Sequence, residues 1–240
     1  MVLQPLDTPM NIKLFFLPLL LLFGSCAKHV AVTSNAFADN QLLPYGLPIG
    51  SSFFIAKTEG DNSLLAKEVS YKIGRILEDK GYLVTDSASA DYYVRFKASM
   101  ASSTALVSVP KYIPGPIKTT KGISYKDGKR TEYEERTQSF GSTVYVPEEQ
   151  TFFHKTLTIY VHNAQHGRIH RHIINTGSYD KTPVWQCSSS SSDRSSDLRE
   201  ALNYLLVAAF KHFGKNTQRD VHTSVRSDDQ EVKNLQSALF

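Results

Sequence analysis

The sequence predicts an α+β fold in which a mostly antiparallel sheet has two amphipathic helices packed on one face. Two stretches, 61–80 and 197–214, repeat apolar residues at helical spacing. Other stretches, including 92–97 and 156–162, alternate apolar and polar residues, which is typical of a strand with one buried face. Because each of these elements has a single apolar face, we expect both helices to cover the same side of the sheet.

The two helices have recognisable ends. The first has its apolar stripe between Leu65 and Leu77, and Gly81 follows where a residue of left-handed conformation commonly ends a helix. The second begins at Asp197 and Glu200, which have the spacing of a capping box. These signals predict one helix before and one helix after the central strands in chain order.

The strands are predicted at 51–57, at 92–97 and in a hairpin over 156–175. Trp185 and Cys187 form a further apolar patch. Five consecutive serines, residues 188–192, follow this patch and have the composition of a flexible linker.

Domain organisation follows from these elements. Residues 51–214 form the predicted domain, with an irregular insertion near 101–150 that contains a hairpin around Asp127-Gly128. Residues 26–50 are predicted to be a tether and irregular lead-in, and 215–240 a mobile polar tail.

Residues 1–25 have the layout of a secretory signal peptide. Lys13 precedes an apolar run from Leu14 to Phe23, which is too short to cross a bilayer as a helix. The nine residues before Met10 contain Asp7 and no cation, so we expect translation to start at Met10. The sequence therefore predicts export.

The end of this segment, Gly24-Ser25-Cys26, resembles the lipobox of bacterial lipoproteins. The resemblance implies that Cys26 becomes the first residue and carries acyl chains such as palmitate on its sulfur and amino group. Several chains, at about 0.8 kcal/mol per buried methylene, make a lasting anchor in a lipid bilayer. Ala27 rather than Asp follows, which by the same resemblance implies an outer-membrane location facing the periplasm.

Composition argues against several classes of partner. The net charge of +4 is spread along the chain, whereas nucleic-acid binding needs clustered cations, so we expect no nucleic-acid partner. The two cysteines fit neither a disulfide framework nor a zinc site. Phosphate-loop, nucleophile-elbow and zinc-helix motifs do not occur, so we expect no cofactor and no enzymatic activity.

Three side-chain groups allow a second interpretation. An alternative metal site would use His162, His170 and His172, although solvated histidines on an exposed strand face are the expected case. Cys187 is either a reactive thiol or, as we expect, a packed one. The tyrosines are either a ligand-binding face or ordinary strand residues; they are Tyr92, Tyr93, Tyr112, Tyr125, Tyr133 and Tyr145.

The pattern Lys80-Gly81-Tyr82, then Ala90-Asp91-Tyr92, then a hairpin that keeps Gly167 but has Asn163 in place of the usual Asp, resembles the bacterial lipoproteins of the domain-of-unknown-function 4136 family. The resemblance covers about 51–214 without the insertion, and implies an envelope lipoprotein with no transferable catalytic residue. The expected function is a membrane-anchored, non-enzymatic binding or envelope-assembly module, with an envelope protein as partner. The alternative is an exported metal-dependent enzyme that uses the three histidines.

Overall fold

The computed structural model describes residues 27–56, 64–164 and 183–237. The predicted signal peptide and Cys26 lie outside the described residues. The elements in chain order are β1 (His29–Ala38), β2 (Ser52–Ile55), α1 (Leu64–Asp79), β3 (Leu83–Val84), β4 (Tyr92–Ile113), β5 (Ile117–Lys126), β6 (Lys129–Gln138), β7 (Ser142–Asn163), β8 (Trp185–Asp193), α2 (Leu198–Phe210), β9 (Val221–Arg226) and α3 (Gln230–Ser237).

A seven-stranded sheet has the order β3-β2-β4-β7-β8-β1-β9. The pairs β4–β7, β7–β8, β8–β1 and β1–β9 are antiparallel. β2 is parallel to both β3 and β4, because α1 lies between β2 and these strands and returns the chain in the same direction. The predicted α+β class is confirmed, and the sheet is mixed but mostly antiparallel.

The core lies between the sheet and the helices. Alternate residues of β1 and β8 are buried, and α2 packs against β1, β7 and β8. α1 packs against β2, β3 and α2. The prediction of two helices was incomplete, because α3 also packs against α2 and buries Val232 and Leu235.

Local signals set the ends of the two predicted helices. The Asp197 carboxylate accepts a hydrogen bond from the Glu200 backbone N–H at 2.8 Å, which confirms that α2 begins there. Gly81 follows α1 with a φ of +84°, a conformation that costs glycine little.

Three segments predicted to be irregular are regular. Part of the 26–50 lead-in forms β1, which pairs with both β8 and β9. The serine run 188–192 lies in β8, between β7 and β1, and is not a linker. The predicted tail, 215–240, contains β9 and α3. Small and polar residues hide the apolar periodicity of these segments in the sequence. The strands β1, β8 and β9 form because each pairs with a neighbouring strand of the sheet.

The predicted irregular insertion at 101–150 is also regular. β4 and β7 pair without interruption from Tyr92 opposite Asn163 to Ile113 opposite Ser142. β5 and β6 form a hairpin beyond them. The hairpin predicted around Asp127-Gly128 is confirmed, since both residues have positive φ, 51° and 75°, at its turn.

Candidate functional site

The outer parts of β4 and β7, together with the β5–β6 hairpin, form a long ribbon outside the domain core. We call residues 99–154 the arm. None of its residues is buried. From Ser99 to Ile113, β4 spans about 50 Å at about 3.3 Å per residue. The arm is therefore an extended two-stranded structure with almost all of its side chains in contact with solvent.

Large apolar side chains are exposed along the arm. They are Met100, Leu106, Tyr112, Ile113, Ile117, Ile123, Tyr125, Tyr133, Phe140 and Tyr145. Four of the six tyrosines that could form a ligand-binding face are among them, namely Tyr112, Tyr125, Tyr133 and Tyr145. Tyr92, in contrast, is buried in the core. A monomeric soluble protein rarely exposes extended apolar surface unless that surface contacts a partner.

The β5–β6 hairpin at the far end of the arm has charges of both signs. Arg130 lies 2.9 Å from Glu132, and Arg136 lies 3.0 Å from Glu134. These ion pairs are exposed, and exposed pairs contribute little, about 0–1 kcal/mol. The charges therefore keep the hairpin solvated but give it no strong preference for an acidic or a basic partner.

The arm joins the domain at an ion pair between a buried lysine and a partly exposed aspartate. Lys155 of β7 is 1% exposed, and its Nζ donates a hydrogen bond to Asp193 Oδ1 at 2.7 Å. The same Asp193 oxygen accepts a hydrogen bond from the Ser195 backbone N–H at 2.8 Å. Asp193 thus connects the base of the arm to the end of β8 and to the segment before α2.

The predicted metal ligands are only partly described. His162 lies in β7 opposite Tyr93, and its ring centroid is 6.5 Å from that of Tyr160. His170 and His172 lie outside the described residues. Within residues 27–56, 64–164 and 183–237, no group of three or more His, Cys, Asp or Glu side chains could hold a metal ion. The three-histidine site remains a prediction.

Cys187 lies in the core. Burial raises the pKa of its thiol to about 11, although a contact with Ser189 opposes the shift. The thiol is therefore protonated at neutral pH, and a protonated thiol is a poor nucleophile. The packed interpretation of Cys187 agrees with this environment.

In the described part of the chain, no helix combines the length and hydropathy that a membrane span requires. No family model matches the sequence, and no curated protein matches it. A solved structure with partial similarity is a PDZ domain protein from Parabacteroides distasonis, with 12% identity and a TM-score of 0.40. The match covers 83% of this chain and 39% of that protein. The resemblance to the 4136 family remains a prediction.

Sequence reasoning missed the arm, although one signal was present. The charged residues Lys97 and Lys111 bracket a run without any charge, 98–110, which is rich in Ser, Thr, Ala and Val. Its Thr and Val residues favour a strand, but its Ala residues do not, and Pro110 and the later prolines obscured the signal further. The structure places Pro110 in a two-stranded ribbon, where an outward-facing proline is tolerated.

Proposed function

We propose that the protein is a membrane-anchored periplasmic lipoprotein that acts as a non-enzymatic binding or envelope-assembly module. The arm is the observation that carries the binding part of this proposal. The anchor is inferred from the lipobox-like residues that end at Cys26, and the membership in the 4136 family belongs to the same proposal.

The physical argument starts from the stability of the arm. An isolated two-stranded ribbon is at best marginally stable in water, because it lacks a hydrophobic face that is covered. The arm nevertheless exposes residues such as Leu106, Tyr112 and Phe140. Contact with a partner removes these side chains from water, at about 25 cal/mol per Å² of apolar surface. The arm is therefore best understood as a binding element presented by a rigid domain.

The anchor is tested by the intact mass and detergent partitioning of the membrane-extracted protein. We expect a mature chain that begins at Cys26 with added acyl mass, and we expect a Cys26→Ser variant to lose both the acyl mass and the detergent partitioning. An unacylated N-terminus in the unaltered protein would contradict the lipoprotein part of the proposal.

The binding role is tested by shortening the arm. Ala101 and His154 are directly paired, so an Asn-Gly turn can replace residues 102–153 and close the ribbon as a two-residue hairpin. We expect this variant to fold and to reach the membrane, because the buried core lies outside 102–153. Cross-linking of intact cells should yield adducts with the unaltered protein and none with the variant. Identical adducts in both would refute a role for the arm.

A further inference from the structure

The outer edge of β4 is unusual among the edges of this fold. The paired residues of β2 and β4 end at Val94, and from Ala98 onward no described strand pairs with β4 on that side. The segment from Ala98 to Pro110, which we call the β4 edge, contains no charged residue. Exposed edges normally have charges, prolines or short strands that prevent pairing with other chains.

The other edges have such protection. β3 is only two residues long, and β9 is six residues long and includes Arg226. The outer edge of β7 in the arm contains Pro147 followed by Glu148 and Glu149. The β4 edge is thus the long, uncharged edge of the described sheet, and from Ser99 onward it lies on the arm that we propose as the binding element.

The backbone of the β4 edge is oriented for strand addition. Val94 O accepts a hydrogen bond from Ala56 N at 2.8 Å, so Val94 directs its backbone groups away from β7. The β4–β7 register is unbroken, and backbone direction alternates along a strand. The even-numbered residues from Met100 to Ser108 therefore present N–H and C=O groups outward. Pro110 shares this outward position and has no N–H, so it limits an added strand at that end.

We infer that the β4 edge pairs with the β4 edge of a second copy of this chain, antiparallel and near Thr104. This inference rests on the proposed function, because anchoring in a membrane raises the effective concentration of one copy around another. Antiparallel self-pairing near Thr104 opposes only uncharged Ser, Met, Ala, Thr, Leu and Val side chains over residues 99–109. Lys97 and Lys111 are the first like charges to face each other, and they do so at the two ends of the paired segment.

A second copy also resolves the marginal stability of the ribbon. Pairing of two β4 edges produces a four-stranded sheet, β7-β4-β4-β7, from two ribbons of two strands. Three or more strands with an apolar face are needed for a stable sheet. Val107, Val109, Val144 and Val146 occupy one face of the ribbon, where Val109 lies directly opposite Val146. Glu148 opposite Val107 and Lys111 opposite Val144 border this strip on the same face. With pairing centred on Thr104, Val107 and Val109 of one copy lie beside Ala101 and Ser99 of the other, so each strip is next to small side chains of the second copy.

Disulfide trapping in native membranes tests this pairing. Single cysteine substitutions at Ser103, Thr104 and Ala105 place a thiol near the symmetry axis, and Thr151→Cys is the matched control. Thr151 lies directly opposite Thr104, on the same face of the ribbon but at the β7 edge. With a mild oxidant, we expect a disulfide-linked species of twice the chain mass from at least one β4 variant and none from Thr151→Cys.

A charge substitution tests the same pairing without a covalent bond. In full-length protein extracted in detergent, Thr104→Lys places like charges near the symmetry axis, and we expect it to weaken self-association by about tenfold or more. Thr151→Lys should leave self-association unchanged. Trp185 fluorescence, which reports the core, checks that both variants fold.

The inference is overturned if no β4 variant forms the dimer, if Thr151→Cys cross-links as well, or if the adduct has a mass other than twice the chain. Failure of the proposed function has a different signature. In that case, Cys26 lacks acyl groups, or the shortened arm leaves the cross-linking in cells unchanged.

Discussion

Lys72 of α1 donates a hydrogen bond to the side-chain oxygen of Asn203 in α2, with an Nζ–Oδ1 distance of 2.8 Å. The same ammonium group forms an ion pair with Glu68, and both side chains are nearly excluded from solvent. Arg199 of α2 donates to the other Glu68 oxygen at 2.7 Å. The contact between the two helices therefore depends on one buried carboxylate that neutralises one buried ammonium.

Glu68→Gln should destabilise the fold strongly. The substitution leaves the Lys72 charge buried without a counter-charge, and removal of one partner of a buried ion pair costs about 3–5 kcal/mol. Urea unfolding measures the change in the free energy of unfolding. Glu78→Gln is the control, since the ion pair between Glu78 and Arg75 on the same helix is exposed, and it should cost less than about 1 kcal/mol. Equal costs would mean that burial of the pair is unimportant.

The contribution of Glu68 should also depend on pH. Burial raises the pKa of Glu68, but hydrogen bonds from Lys72 and Arg199 lower it by more, so its pKa lies below the ordinary value of 4.5. A lowered folded-state pKa gives stability that is fully present above the unfolded-state pKa and is lost as pH falls through the folded-state value. The difference in unfolding free energy between the unaltered protein and Glu68→Gln should stay constant from about pH 7 to about pH 5 and shrink below that. A constant difference down to about pH 3 would contradict this assignment.

Ser34 and Ser189 should show coupled effects on stability. Their hydroxyl oxygens are 2.9 Å apart, and both residues are fully buried beneath the helices. Ser189→Ala leaves the Ser34 hydroxyl without this partner, which costs about 1–3 kcal/mol. The double alanine variant should therefore cost less than the sum of the single variants. Ser190→Ala, on the opposite face of β8, is the control, and strict additivity in the cycle would exclude the coupling.

The elements that were predicted well from the sequence have large apolar side chains that repeat at strand or helix spacing. Val94 and Phe96 alternate with polar neighbours, and both are buried as that alternation requires. Val69 and Ile73 recur at helical spacing in α1 and are also buried. In these elements, the side chains that the core needs are bulky, so the burial pattern is visible in the residue types themselves.

The elements that were missed use small or polar residues toward the core. β8 buries Ser189 and Ser191 at alternate positions, and β1 buries Ser34 and Ala36. These strands have little hydrophobic contrast, and their position in the sheet depends on pairing with β7 and with each other. The arm was missed for a related reason. Neither of its faces is buried, so its sequence does not need to alternate apolar and polar residues.

Cys187 should resist alkylation while the protein is folded. The Cys26→Ser background leaves Cys187 as the remaining cysteine of the chain. Because burial raises the pKa of the Cys187 thiol to about 11, the reactive thiolate is scarce near neutral pH, and the sulfur is also inaccessible. Mass spectrometry should detect little modification by iodoacetamide in buffer and full modification in denaturant. Ser192→Cys, at an exposed position of the same strand, should provide a second thiol that reacts in buffer. Rapid modification of Cys187 itself would indicate frequent opening of the core.

Leu235→Ala tests whether the C-terminal helix belongs to the domain. Leu235 of α3 is buried, as are Val232 of the same helix and Val225 of β9, although this part of the chain has a mostly polar composition. Truncation of a buried leucine costs about 2–5 kcal/mol, because apolar contacts are lost and a cavity remains. Thermal or urea unfolding should therefore show a clear loss of stability. Lys233→Ala, at an exposed position of the same helix, should change stability by less than about 0.5 kcal/mol. If both substitutions were neutral, α3 would contribute nothing to the fold, and the domain would end near Gly214 as the sequence pattern suggested.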